Sequence, residues 1–170
     1  MLAFGPMRYI LLDKITELSP PERARGVKCI SLSDDVFADH FPGHPVMPGA
    51  LILEGMAQLG GVLAEAAMRL EGHTDLHALL TMADRVRFRR AVGPGDRLEY
   101  QAVCQRVGED GGRIAVSAES EGESVAEAVL TFVFVRITNP TLLARRREYL
   151  QIWTQGGLVD PNERPGRTDG

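Results

Sequence analysis

Apolar positions along this chain follow two rhythms. From residue 49 to 70 they are nearly continuous. The few polar side chains there, Glu54, Gln58, Glu65 and Arg69, fall on one narrow stripe at the roughly 100° per residue of a helix. Pro48 suits the first turn of that helix and Gly72 its stop. The rest of its surface is Leu, Ile, Met, Val, Ala and Gly, so the helix is expected to be enclosed on most sides. Glu65 and Arg69 are read as an ordinary solvated face, Glu54 and Gln58 as the candidates for chemistry.

After the helix the period drops to two. Segments 79–91, 97–107, 113–120 and 125–137 read as strands. They are separated by the turn signals Gly93-Pro-Gly-Asp96, Glu109-Asp-Gly-Gly112 and Glu121-Gly-Glu123. Two shorter strands, 9–15 and 27–32, precede the helix and flank the turn at Ser19-Pro-Pro21. An antiparallel sheet covered by one long apolar helix is an α+β layer. Asn139-Pro140 opens a further helix, 141–154, with Leu142, Leu143, Tyr149, Leu150 and Trp153 toward one side and Arg145-Arg-Arg147 on another; Gly156-Gly157 ends it. Residues 158–170 read as a flexible tail.

The 170 residues, 44% hydrophobic and 25% charged, suit one globular domain. The net charge of -4 argues against a nucleic-acid binder. Cys29 and Cys104 form no CxxC pair and read as core residues of a protein in a reducing, cytoplasmic compartment. Glu54 and Gln58 in mid-segment, Pro48 and three glycines argue against a membrane span over 45–64.

Chemistry concentrates in His40-Phe-Pro-Gly-His-Pro-Val-Met-Pro-Gly49 and the following Leu51-Ile-Leu-Glu54-Gly-Met-Ala-Gln58. A histidine on a rigid Pro/Gly loop, with a carboxylate among apolar neighbours, is what proton transfer at a carbon acid needs. Burial among Leu51, Leu53, Met56 and Ala57 favours the uncharged acid. Gly49 begins the helix, where free N–H groups favour negative charge. His44 is expected to be exposed. His73 and His77 show no partner pattern and suggest no metal site. Asp84 and Asp96 read as strand-edge or turn residues.

This segment resembles the 3-hydroxyacyl-acyl-carrier-protein dehydratases of fatty-acid synthesis, of the FabZ type, which have the hotdog fold: an antiparallel sheet wrapped around a long central helix. The likeness runs from about Met7 to Ile137 and includes Arg8-Tyr-Ile-Leu-Leu-Asp13, Phe88-Arg-Arg90 and Val92-Gly-Pro-Gly-Asp96. The resemblance implies that His40 and Glu54 are catalytic, that the Gly49 N–H faces the thioester carbonyl, that Gln58 orients the acid and that the Val46 carbonyl holds the His40 ring. It implies no cofactor; the substrate rides on the phosphopantetheine arm of acyl carrier protein. It also implies a dimer whose sites take histidine and acid from different subunits, and hexamers built from dimers.

Residues 1–137 would then form the dehydratase domain, 138–157 a helical extension and 158–170 the tail. Arg85, Arg87, Arg89, Arg90 and Arg97 are candidates for docking the acidic carrier, with Arg85, Arg87 and Arg89 alternating on one strand face. Gly55 stands where the family usually has Ala, Ala91 where it often has Pro, and the helix after Asn139 lies beyond the family's usual end. A hotdog thioesterase and an inactive dehydratase-like subunit that binds acyl carriers are the alternative readings.

Overall fold

The computed structural model describes residues 9–155. Strands β1 (Lys14–Ser19) and β2 (Arg23–Cys29) form a hairpin, followed by a short 3-10 helix, Asp35–Ala38, and the long helix α1 (Gly49–Leu70). Strands β3 (Leu76–Phe88), β4 (Arg97–Gly108), β5 (Gly111–Ser120) and β6 (Glu123–Arg136) come next, then helix α2 (Pro140–Thr154). All six strands make one antiparallel sheet in the order β1-β2-β4-β5-β6-β3. Chain-adjacent β5 and β6 are paired neighbours, whereas β3 crosses over to the far edge, so α1 and the strand that follows it bracket the sheet.

The core lies between α1 and the sheet. Ile52, Met56, Leu59 and Leu63 of α1 pack with Leu98, Tyr100, Ile114, Leu130 and Phe132 of the strands. The apolar helix is long and apolar enough to cross a membrane, but most of it is buried inside the fold, as a core helix. Backbones approach closely at its glycines. A Cβ at Gly55 would sit 2.5 Å from the Tyr100 hydroxyl and 2.6 Å from the Leu11 carbonyl oxygen. An alanine at this position is excluded by the Tyr100 phenol, which fills the space. Burial pushes the Tyr100 hydroxyl further from ionisation.

Helix α1 has the predicted bounds, and β3 to β6 fall within a few residues of expectation. The two first strands are displaced, to 14–19 and 23–29. Residues 9–12 point their backbone groups at a side chain of α1 instead of a neighbouring strand, so they read as strand without forming one. In β2 the inward positions are small, Ala24 and Gly26, and the outward ones are Arg23 and Arg25, which hides the alternation. Cys29 is exposed at the end of β2 rather than in the core. At the end of α2, Gln155 takes the left-handed cap (φ 52°); Gly156-Gly157 and the expected tail lie outside the described residues.

Glu65 and Arg69 correct the expectation of a solvated face. Glu65 is 1% exposed, and the Arg69 side chain is largely covered. The start of β3 lies against this part of α1, and the Arg146 side chain reaches it from α2. His77 likewise has a partner: it is buried, with Nδ1 3.6 Å from Glu65 Oε2. His73 lies 3.2 Å from Glu109 and Asp84 lies 3.3 Å from Arg113.

The close contact at Gly55 gives a direct test of the packing. Gly55→Ala is expected to destabilise the fold by about 1–3 kcal/mol, as for other forced insertions into a packed core, read as a lower urea midpoint. An unchanged midpoint would mean that α1 and Tyr100 are not in this contact.

Candidate active site

The loop before α1 is closed on itself. Phe41 N–H donates to the His44 carbonyl at 3.1 Å, and His44 N–H donates back to the Phe41 carbonyl at 2.9 Å. Gly43 makes this turn possible at φ 74°, where other residues are strained. Val46 N–H donates to the His40 carbonyl at 3.0 Å, and Met47 N–H to the Val92 carbonyl at 2.8 Å. The segment Val92-Gly93 thus braces the loop from outside; a Cβ at Gly93 would lie 2.7 Å from the Pro45 carbonyl oxygen. Gly93 is itself held by Asp96, whose carboxylate accepts the Gly93 N–H at 2.8 Å.

On this loop the His40 ring is oriented from two sides. It stacks on Phe41, with centroids 4.0 Å apart. Its Nδ1 lies 3.0 Å from the Val46 carbonyl oxygen. A carbonyl only accepts, so Nδ1 carries the proton and Nε2 presents its lone pair. His44 is exposed and turned into the loop's tip, as expected.

Glu54 stands on α1, and Gln58 lies one helical turn further on. The Gln58 side-chain oxygen accepts the Leu11 N–H at 3.0 Å, and its nitrogen donates to the Tyr9 carbonyl at 3.0 Å. These two backbone groups leave one amide orientation. In that orientation the nitrogen also donates to Glu54 Oε1 at 3.1 Å. Oε1 is occupied as an acceptor, and Oε2 has no hydrogen-bond partner among the described residues. Glu54 is half-buried.

At Gly49 the helix begins after Pro48, which supplies no side-chain cap. Leu51 and Ile52 N–H donate to the Pro48 carbonyl at 2.9 and 3.2 Å, while the Gly49 N–H has no partner among the described residues and remains available for an oxygen carrying developing charge. The Phe88 ring, at the end of β3, lies over this point; a Cβ at Gly49 would be 2.9 Å from it. Phe88 is half-exposed. Its proximity to the helix start could not be read from the pattern, because Phe88 and Gly49 meet only through the sheet crossover. A shallow groove beside the loop is lined by Leu32, Phe37, Phe41, Gly43 and Pro45.

The arginine group is less regular than its sequence spacing suggests. A register shift between Asp84 and Arg87 breaks the alternation, and Arg85 has φ 54°. Arg89 lies 2.7 Å and Arg87 3.5 Å from Glu127, whose carboxyl is held below its usual range by Arg89 first and Arg87 second. Arg90 donates to the Ser120 carbonyl at 3.3 Å. Arg97 lies 3.7 Å from Glu99. Arg85 is exposed and has no acidic partner among the described residues.

Nitrogen-15 NMR at neutral pH is expected to show His40 as the tautomer with the proton on Nδ1. A proton on Nε2 would contradict the hydrogen bond to Val46 and remove the base.

Comparison with known proteins shows the family. Residues 5–130 match the FabA-like domain. The 3-hydroxyacyl-acyl-carrier-protein dehydratase FabZ of Campylobacter jejuni (strain RM1221) is 46% identical over 135 residues, covering 76% of this chain and 91% of that protein. The FabZ of Chloroflexus aggregans is 39% identical over 143 residues, covering 83% and 95%. Among solved structures, the dehydratase heterocomplex ApeI:P of Xenorhabdus doucetiae superposes with a TM-score of 0.61 at 21% identity, over 82% of this chain and 90% of that one. A hypothetical thioesterase of Streptococcus pneumoniae gives 0.56 at 12% identity, over 74% and 88%. At such identities these two structures share the fold alone. The match over residues 5–130 and the FabZ relatives show that the chain belongs to the FabA-like family of hotdog dehydratases, on its FabZ side.

Proposed function

We propose that the chain catalyses the reversible dehydration of 3-hydroxyacyl thioesters, carried on acyl carrier protein, to trans-2-enoyl thioesters. The observation that carries this reading is the complementary dressing of two side chains. His40 has its proton on Nδ1 and a free Nε2; Glu54 has Oε1 engaged and Oε2 free.

Elimination needs a base at the α-carbon and an acid at the β-hydroxyl. His40 Nε2 takes the α-proton, and the C–H electron pair becomes the new C=C bond. Glu54 Oε2–H gives its proton to the departing hydroxyl, so water leaves instead of hydroxide. The negative charge shared by the thioester oxygen is met by the free N–H groups at Gly49. The step ends with an imidazolium and a carboxylate. In the reverse direction the carboxylate takes a proton from water as its oxygen adds to the β-carbon, and the imidazolium returns a proton to the α-carbon.

In this reading one site takes His40 from one copy of the chain and Glu54 from another. Support comes from β3. It is an edge strand, paired only with β6, and it exposes Leu79, Leu80, Met82 and Phe88. An apolar open edge is normally covered by another strand. A second copy added along β3 would arrive at Phe88, and Phe88 lies over the start of α1. Arg85, free of acidic partners among the described residues and set on the bulge of the same strand, suits a phosphate or acidic carrier near that entrance.

Replacing His40 or Glu54 with Ala is expected to lower turnover of a 3-hydroxyacyl carrier substrate by about 10²–10⁴-fold, the range for a general acid or base, with the circular dichroism unchanged. Loss of water is read by mass. Near-native turnover in either variant would remove that residue from the reaction, and release of free thiol without enoyl product would make the protein a thioesterase. Arg85→Glu leaves the Glu127 pairs intact; it is expected to raise KM for the carrier-bound substrate about tenfold, as for loss of one charge-assisted contact, while sparing a short thioester mimic. Equal losses on both substrates would count against docking there.

A further inference from the structure

Glu65 sits 1% exposed on α1, and both its oxygens are used. Oε1 accepts the Ala78 N–H at 2.8 Å and a hydrogen bond from Arg146 Nη2; Oε2 accepts Arg146 Nε at 3.2 Å. Arg69 Nη2 and His77 Nδ1 each stand 3.6 Å from Oε2. The contact with Arg146 is the two-pronged fit of a planar guanidinium on a carboxylate. Arg146 belongs to α2, which starts beyond the stretch matched by the family.

Helix α2 otherwise rests on β1, through partly covered side chains only. None of its residues is buried; Leu150 and Trp153 lean on the core, while Leu142 and Ile152 are exposed. Its other two arginines, Arg145 and Arg147, are exposed. Burial by itself pushes the Glu65 carboxyl up, but the nearby His77 ring, then Arg146, the Ala78 N–H and Arg69 outweigh it and hold it below the usual carboxylate range.

We propose that Glu65 forms a buried guanidinium-binding site, filled by the chain's own Arg146, that straps α2 across the end of α1 and fixes the start of the β3 edge. Ala78 stands opposite Phe134 on β6, yet its N–H is spent on Glu65. One carboxylate therefore ties three elements: α1, which carries it, β3 through the amide, and α2 through the guanidinium. Without Arg146 the carboxylate loses its hydrogen-bonded cation and keeps only Arg69, at 3.6 Å, to offset its burial. It then takes up a proton or turns to water, and the Ala78 amide loses its acceptor. Arg146 would then act at a distance on the edge strand where a second copy is proposed to add. The strap does not depend on which reaction the site performs.

Hydrogen exchange of the full-length protein, read by mass spectrometry on peptides covering 76–82 and 140–154, tests this. Arg146→Met is expected to speed exchange about tenfold or more in both peptides and to shift Trp153 emission to the red. Arg145→Met, beside it on the exposed face, is expected to change neither. Glu65→Gln should resemble Arg146→Met, and the double variant should be no worse than the worse single one, because both remove one interaction. Arg146→Lys should restore protection only in part, since an ammonium cannot make the paired contact. If Glu65→Gln fails to fold, the three arginine variants still decide the matter. Unchanged exchange in Arg146→Met, or faster exchange confined to 140–154, would overturn the proposal. Turnover enters none of these readouts, so they stand or fall apart from the dehydratase reading.

Discussion

The rest of the site depends on a glutamine read at both ends by main chain. Gln58 accepts from Leu11 and donates to Tyr9, and only then reaches Glu54. An amide held this way cannot flip. It assigns one carboxyl oxygen as acceptor and leaves the other for a proton. His40 is fixed by the same logic: one ring nitrogen is committed to the Val46 carbonyl so that the other is free. In both cases the backbone commits one polar atom and leaves the other open, which is the preorganisation the proposed chemistry would use.

Helix α1 carries this arrangement because it is almost wholly enclosed. A buried helix has no water to satisfy polar side chains, so each one needs a named partner. Segment 9–11 answers Gln58, and Gln58 answers Glu54. The start of β3 and Arg146 answer Glu65. The polar stripe is two stations, one at each end of the helix. The first is exposed enough to meet a substrate, and the second is sealed and structural in its contacts. Small residues along the helix let the surrounding chain come close; Gly55 does so against Tyr100 and Leu11, and Gly49 against Phe88.

Much of this was legible in the order of residues. The long apolar run bounded by Pro48 and Gly72 marks α1, because local sequence alone decides where a buried helix starts and stops. The His40 loop and Glu54 stand out because so many Pro and Gly residues are needed to hold one imidazole. Other features depend on chain that arrives from elsewhere. Glu65 and Arg69 look like a solvated face until Arg146 reaches in from α2, and that contact spans 81 positions. Residues 9–12 look like a strand because their apolar content is that of a strand, while their hydrogen bonds go to a side chain. The arginines at 85, 87 and 89 alternate in sequence but not in space, because a bulge intervenes. The role of Phe88 over Gly49 follows from a strand crossover that no local pattern records.

A mixture of two inactive variants asks most directly whether one histidine and one acid from separate copies meet around a single substrate. His40→Ala and Glu54→Ala chains would be unfolded together and refolded, and the turnover of the mixture measured. If sites are shared across a two-fold pair, half of the randomly formed dimers contain one intact site each, and the mixture recovers about a quarter of the wild-type rate. If both groups act within one chain, no combination contains a complete site, and the mixture stays as inactive as its parents.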